Sequence, residues 1–178
     1  MTDMALQHVR PADESAFREL MSAFPSGVTV VTTRDRDGTP RGLTCTAMCS
    51  VSLRPPILLT CVRHDSETLA AMLRRGRFAV NLLHAGGRAA ADVFANAVRD
   101  RFTEVEWESS PRGDLPWLTA DAHAVAECAV AGFVEAGDHV VVFGEVGEVI
   151  AEPDQPLLYG FRQYAAWTPD GRVLPPRR

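Results

Sequence analysis

The segment from Gly42 to Leu53 alternates between apolar side chains and side chains that mostly carry hydroxyl groups. The odd positions read Leu, Cys, Ala, Cys, Val and Leu, and the even positions from Thr44 read Thr, Thr, Met, Ser and Ser. A repeat of two residues predicts a β-strand with two different faces. Because the segment carries no charge, we expect its hydroxyl face to line a pocket for a flat polar ligand. Packing beneath a loop or at a subunit interface is the alternative.

Helical patterns are few. A helical spacing of apolar residues follows Asp13 and ends before Pro25. Its apolar positions are Phe17, Leu20, Met21 and Phe24. A capped start at residues 65–68, with Gly76 as the end, predicts a second helix. An alanine-rich stretch predicts a third helix from Gly86 to Asn96.

Most of the remaining chain reads as strands. Besides the hydroxyl segment, strands are predicted at Gly27–Thr33, Ile57–Arg63, Arg77–Leu83, Ala124–Glu135, His139–Glu152 and Leu157–Trp167. Residues 99–119 are rich in proline and glycine and are expected to have little regular structure. Six or seven strands with few helices predict a closed antiparallel barrel, and so a mainly β fold.

Composition narrows the range of functions. The 178 residues fit one domain, and we predict a flexible arm at residues 1–12, the barrel domain at 13–168 and a flexible tail at 169–178. The net charge of −5 argues against a nucleic-acid partner. The chain shows no signal peptide and no apolar run long enough to cross a bilayer. We therefore expect a cytoplasmic protein without membrane association.

The cysteines predict neither a metal site nor disulfides. Cys45, Cys49, Cys61 and Cys128 form no C-x-x-C pair, and three of them lie in apolar strand patterns. A zinc site requires clustered Cys or His ligands, which the sequence does not offer. We expect buried, reduced thiols.

Two further places carry candidate chemistry. Ser66 and Thr68 open the second predicted helix, whose unpaired amides and dipole favour a phosphate, and Arg63 precedes them. A plain helix cap is the alternative. His139 follows a Gly-Asp turn at the mouth of an apolar strand, where the ring either meets a ligand or is a solvated turn residue.

Five segments, in order, resemble the flavin reductase family of FMN-binding split-barrel proteins. They read FPSGVTVVTT, GLTCTAMCSVSLRPPILLTCV, SETL, RFAVNLL and GDHVVVFGEV. The resemblance extends from Phe17 to Trp167. The segment from Cys45 to Cys49 departs from the alanine, asparagine or serine and the aromatic residue of many members, which leaves the flavin preference open.

The resemblance implies a six-stranded antiparallel split barrel of Greek-key type that forms a homodimer and binds flavin near the subunit interface. Residues implied to face the isoalloxazine are Thr44, Cys45, Thr46 and Ala47, with Ser50 nearby. Cys61 and Arg63 would flank the ribityl–phosphate end, and Ser66 and Thr68 would hold the phosphate. Asp138 and His139 would lie near the nicotinamide, and Tyr164 would close the far side.

The implied activity is NAD(P)H-dependent reduction of FMN or FAD, with reduced flavin supplied to a partner monooxygenase. NADH is the expected coenzyme and NADPH stays open. Hydride transfer between cofactors needs no protein nucleophile, so the absence of a catalytic dyad is expected, and His139 is named only as a catalytic candidate. We expect Trp107 and Trp117 to clasp the dimer. The alternatives are a flavin-binding sensor or carrier without turnover, an oxidase of a pyridoxine-like substrate, and a barrel without a ligand.

Overall fold

The structure of the protein, a computed structural model, describes residues 12–96, 100–111, 114–167 and 172–174. The predicted N-terminal arm, apart from residue 12, lies outside the described residues. So does the predicted tail, apart from residues 172–174.

The described chain is mainly β, as predicted. Its helices are α1 (Glu14–Ser22), α2 (Glu67–Arg75) and α3 (Arg88–Ala95), with one 3-10 turn at Arg101–Thr103. Its strands are β1 (Ser26–Gly27), β2 (Thr29–Arg34), β3 (Pro40–Cys45), β4 (Met48–Leu53), β5 (Pro56–Arg63), β6 (Arg77–Leu83), β7 (Glu108–Ser109), β8 (Pro116–Trp117), β9 (Ala122–Ala136), β10 (His139–Ala151), β11 (Leu157–Gly160), β12 (Gln163–Trp167) and β13 (Val173–Leu174). All three predicted helices are confirmed.

The main sheet is antiparallel and holds seven strands in the order β3-β2-β6-β9-β10-β5-β4. Its two edge strands, β3 and β4, follow each other in the chain with only Thr46 and Ala47 between them. The chain from Cys45 to Met48 spans at most about 11 Å, whereas six strand spacings in a flat sheet measure about 29 Å. The sheet must therefore curl until its edges meet at this link. Among the described strands no ladder joins β3 to β4, so the barrel is split.

The predicted single strand from Gly42 to Leu53 is wrong, because β3 ends at Cys45 and β4 begins at Met48. In β3 the odd residues Leu43 and Cys45 pack in the core, whereas in β4 the even residue Met48 packs there and the odd residues are exposed. The link shifts the alternation by one residue, so the hydroxyl groups do not share one face. The break divides one predicted strand into β3 and β4, so the main sheet has seven strands in place of the implied six.

The core lies between the inner face of the curled sheet and helix α2. Phe78 and Val142 of the sheet and Met72 of the helix are fully buried. Gly144 is required opposite Phe78, because an added Cβ would lie 2.4 Å from the ring. Burial of α2 against the sheet fixes where the beginning of that helix sits.

Residues 100–111 and 114–118 form a cover over β2, β6 and β9. They contain the paired strands β7 and β8, where little regular structure is predicted. Fully buried Asn81 anchors the end of this cover: it accepts a hydrogen bond from the Leu118 N–H at 2.8 Å and donates to the Val30 carbonyl at 2.9 Å. The Thr32 hydroxyl donates to the Pro116 carbonyl at 2.5 Å. The cover is therefore tied to the interior of the sheet.

The prediction that Trp117 clasps a dimer is wrong. Its side chain belongs to a buried cluster with Leu115 of the cover and Ala79 of the sheet, and the residue is only 4% exposed. Trp107 packs edge to face on Phe102, with ring centroids 5.6 Å apart. Trp117 is thus buried within its own chain, whereas Trp107 is only half-buried and its part in a clasp stays a prediction.

A second antiparallel sheet, in the order β1-β11-β12-β13, extends the molecule. The predicted strand Leu157–Trp167 is a hairpin here, turning at Phe161 and Arg162, both with positive φ. Val173–Leu174 pairs with Ala166 and Trp167, so this part of the predicted flexible tail is a strand. The predicted strand Gly27–Thr33 is likewise divided between the two sheets.

Helix α1 has no buried residue. Four large apolar residues, three of them in α1 and the fourth two residues after its end, are 45–69% exposed. These four residues, Phe17, Leu20, Met21 and Phe24, are called the α1 face, and the described part of the chain leaves this face largely uncovered. No helix in the described ranges is both long enough and apolar enough to span a bilayer.

Candidate functional site

The link between β3 and β4 lies beside β5. The Cys61 N–H donates to the Ala47 carbonyl at 2.9 Å, and Thr46 and Ala47 are both exposed. The two residues before the link point elsewhere. The Cys45 thiol lies 3.2 Å from the Thr60 hydroxyl in the core, and the Thr44 hydroxyl donates to the Ala91 carbonyl of α3 at 2.6 Å. Of the four residues expected to face a flavin ring, only the two in the link, Thr46 and Ala47, are exposed.

The outer face of β5 and β10 brings together several predicted site residues. Arg63 pairs directly with His139, and Cys61 pairs with Val141. Directly paired residues of antiparallel strands lie on the same side of a sheet. Because the alternating residues of both strands are buried in the core, these four lie outside it. Cys61, Arg63 and His139 therefore share one surface outside the core, which is the arrangement the predicted site requires.

Ser50 lies elsewhere on β4, where it is exposed and pairs with Leu58. Along β5, Leu59 and Cys61 point to one face of the sheet and Leu58 points to the other. Because Ser50 pairs with Leu58, its side chain is on the opposite side of the sheet from Cys61. The exposed residue of β4 that shares the Cys61 face is Cys49, which pairs with Leu59.

At the β9–β10 turn, the Asp138 carboxylate is hydrogen-bonded to one ring nitrogen of His139. His139 Nδ1 lies 2.8 Å from Asp138 Oδ1, and this hydrogen bond holds the pKa of Asp138 below its usual value. The His64 N–H donates to the Asp138 carbonyl at 3.0 Å, which ties this turn to the end of β5. With an ionised Asp138, Nδ1 carries the hydrogen and Nε2 of a neutral ring is a hydrogen-bond acceptor.

The Arg63 guanidinium is already engaged. It donates through Nε and Nη2 to the two carboxylate oxygens of Asp65, at 3.0 and 2.7 Å. These bonds hold the pKa of Asp65 below its usual value and raise that of Arg63. A phosphate could take these two donors of Arg63 only by displacing Asp65.

A cavity of about 670 Å³ opens at the start of α2. Residues 39–42 at the beginning of β3, residues 66–68 and residues 100–103 line it. Ser66 is the N-cap of α2 and accepts a hydrogen bond from the Leu69 N–H at 3.4 Å. Thr68 is only 4% exposed. Both predicted phosphate-binding residues therefore meet in one cavity.

Two arginines contribute positive charge to the same cavity. Arg41 pairs with Glu67 at 2.6 Å, and the buried Arg41 Nε has no hydrogen-bond partner among the described residues. Arg101 donates through Nη1 to the Gly42 carbonyl and through Nη2 to the Asn96 carbonyl, both at 2.7 Å. The cavity thus combines a helix N-terminus, the hydroxyl residues Ser66 and Thr68, and two arginines with two acidic residues, Glu67 and Asp100.

Tyr164 lies apart from these groups, on the second sheet. Its ring packs against Tyr159 at 5.3 Å, and the Arg88 guanidinium lies 5.5 Å from its centroid. Burial, with a smaller contribution from Asp92, raises the pKa of the phenol to about 12. The structure of a single chain does not bring Tyr164 to the cavity or to His139.

Comparison with known proteins identifies the family. Residues 21–168 match the model of the flavin reductase like domain. The chain belongs to this family. It is 56% identical over 164 residues to a flavin reductase (NADPH) of Lentzea aerocolonigenes, covering 92% of this chain and 94% of that one.

Two other relatives extend the comparison. A reductase subunit of a flavin-dependent monooxygenase of Rhodococcus jostii is 35% identical over 93% of this chain and 84% of its own. The solved structure of the NADH:FAD oxidoreductase of Streptomyces globisporus, in complex with NAD and FAD fragments, superposes with a TM-score of 0.85. It is 34% identical and covers 94% of this chain and 100% of that one.

In this flavin reductase-like domain, sequence reasoning missed the cavity residues Arg41, Glu67, Arg101 and Phe102. Arg101 falls in the irregular stretch and is 60 positions from Arg41, so only the folded cover brings the two together. Glu67 lies in the first turn of α2. An acidic residue there is expected to stabilise the helix dipole, so the sequence gives no sign that it lines a cavity.

The cysteines of the domain are all free, as expected, but they are not all buried. Cys45 and Cys128 are buried, Cys61 is half-buried and Cys49 is exposed. Burial raises the pKa of the Cys45 and Cys61 thiols, and that of Cys128 to about 12. No cluster of three metal-ligating side chains occurs in the described part of the chain.

A second cavity, of about 340 Å³, lies at the other end of the β9–β10 hairpin. His84, His123 and Asp154 are among its lining residues. None of the residues implied by the family resemblance lines it.

Proposed function

We propose that this chain is an NAD(P)H-dependent flavin reductase that reduces FMN or FAD and supplies the reduced flavin to a monooxygenase. The observation that carries the proposal is the cavity at the start of α2, because it joins Ser66 and Thr68 to two arginines within a flavin reductase-like domain. The relatives are named as reductases, which favours turnover over a sensor or carrier.

The cavity fits the phosphate end of a flavin. The first amides of α2 and the hydroxyls of Ser66 and Thr68 are donors suited to an anion, and the guanidinium of the lining residue Arg41 adds positive charge. These groups would bind the phosphate and fix one end of the molecule. Arg63, held by Asp65, would contribute less than the sequence suggests.

The ring end of the flavin would lie along the β3–β4 link and the outer face of β5. Thr46 and Ala47 carry no bulky side chain, so a flat ring can approach their backbone closely. Cys61 continues this surface toward His139. When bound, the flavin itself supplies the hydride-accepting chemistry, and the chain supplies orientation.

His139 would orient the nicotinamide. Because Nδ1 is bonded to Asp138, Nε2 is the nitrogen that can accept a hydrogen bond from the carboxamide N–H₂. This role needs no proton transfer to or from the ring. The relatives include an enzyme named for NADPH and one named for NADH, and we propose that both coenzymes be tested.

The activity is tested with purified protein, added FMN or FAD, and NADH or NADPH. We expect loss of NAD(P)H absorbance that depends on both the protein and the flavin. Reactions lacking flavin are the control. Absence of any flavin-dependent oxidation with either coenzyme would contradict the proposal.

Replacing both Ser66 and Thr68 with alanine should weaken FMN binding much more than riboflavin binding, because riboflavin lacks the phosphate. A hydrogen bond to a charged acceptor is worth roughly 1.5–3 kcal/mol, so the dissociation constant for FMN should rise at least about tenfold. Quenching of flavin fluorescence measures both constants. Ser22→Ala, which removes a hydroxyl outside the cavity, is the control. Equal losses for the two flavins would mean that the pair serves only as a helix cap.

His139→Ala should lower kcat/KM for NADH about tenfold, mainly through KM, and leave flavin affinity nearly unchanged. Steady-state kinetics at saturating flavin provide the measurement. His64→Ala removes a neighbouring exposed imidazole and should have little effect. Loss of flavin affinity with unchanged NADH kinetics would refute the assignment.

We also propose that the chain forms a homodimer and is cytoplasmic. The α1 face consists of four exposed large apolar side chains within eight residues, and exposed apolar clusters often mark a protein–protein contact. Four free thiols suit a reducing compartment.

Sedimentation at micromolar concentration should give twice the 19.4 kDa mass of one chain. Leu20→Glu places a charge in the α1 face and should shift the protein toward monomer, whereas Arg18→Ala on the same helix should not. A wild-type protein that sediments as a monomer would rule out the dimer.

A further inference from the structure

The cavity at the start of α2 contains a carboxylate where a phosphate ligand would have to bind. Glu67, the first residue of α2, accepts a hydrogen bond from Arg41 Nη1 at 2.6 Å. The two side chains differ in exposure: that of Glu67 is 78% exposed and that of Arg41 is 34% exposed. Arg41 thus belongs to the cavity wall, and Glu67 reaches it from the solvent side.

One donor on a residue that lines this cavity remains unused. The buried Arg41 Nε has no partner in the described ranges. Thr68, a residue only 4% exposed, lines the same cavity. Buried donors without partners are uncommon in native proteins. Arg41 is therefore only partly paired by Glu67, and it lines the cavity together with Thr68 and the N-terminus of α2.

We propose that Glu67 competes with the flavin phosphate for Arg41 and so keeps the bound flavin exchangeable. This inference rests on the proposed flavin reductase function. A phosphate that binds Arg41 either displaces the Glu67 carboxylate or stays close to its negative charge. Both outcomes weaken the binding of phosphorylated flavins, and neither affects a flavin without phosphate. The consequence is a flavin that leaves after reduction, as a diffusing product must.

The test compares FMN with riboflavin. In Glu67→Gln the amide keeps the size of the side chain and loses its charge. We expect the dissociation constant for FMN to fall about fivefold at low salt, and that for riboflavin to stay within about twofold. Quenching of flavin fluorescence provides both constants, and the release of FMN, followed by stopped flow, should slow in the same variant.

Two further variants separate competition from a general loss of negative charge. Glu14→Gln breaks an exposed ion pair with Arg18 in α1, outside the cavity, and should change neither constant. In an Arg41→Met background, Glu67→Gln should no longer tighten FMN binding, because the contested guanidinium is gone. A full gain in that background would overturn the competition, since it would place the effect on the helix N-terminus alone.

The outcomes distinguish this inference from the proposed function. A wild-type protein that reduces flavin, with an FMN-to-riboflavin affinity ratio unchanged by Glu67→Gln, would overturn only the role of Glu67. A wild-type protein that neither binds nor reduces any flavin would overturn both.

Discussion

A single backbone hydrogen bond, from the Cys61 N–H to the Ala47 carbonyl, lies where the two edges of the seven-stranded sheet meet. The short link between β3 and β4 forces this meeting, because the two strands cannot remain at opposite ends of a flat sheet. The curvature encloses the core with α2 on one side and leaves the outer face of β5 and β10 accessible. Fold and binding surface therefore follow from the same geometric constraint.

The groups proposed to bind the cofactors come from elements that this curvature brings into contact. The end of β5 carries Arg63 and continues into the turn that opens α2, and the β9–β10 turn bonds to the same place through His64. None of these residues forms a nucleophile–base pair. An enzyme that transfers hydride between two bound cofactors needs alignment of the reacting atoms, and a stiff sheet with short turns provides it.

Local patterns in the sequence predicted much of this arrangement. The N-cap at Ser66 and the left-handed Gly76 define α2, and both are set by residues that are neighbours in the chain. The break at Thr46–Ala47 was not predicted, because an uninterrupted alternation of residue types cannot reveal a shift in which face is buried. Arg41 and Arg101 were also missed, since their meeting depends on the folded cover. Local signals predict elements, whereas long-range contacts assemble the site.

The cover has a consequence for the thermodynamics of binding. Arg101 is held by two backbone carbonyls, and Phe102 is wedged edge to face between Phe94 and Trp107. Asn81 ties the far end of the same segment to the centre of the sheet. Fixing a free loop and its side chains upon ligand entry would cost conformational entropy. Because contacts within the chain already order the cover, ligand binding does not have to order it, and this entropy loss does not reduce the affinity.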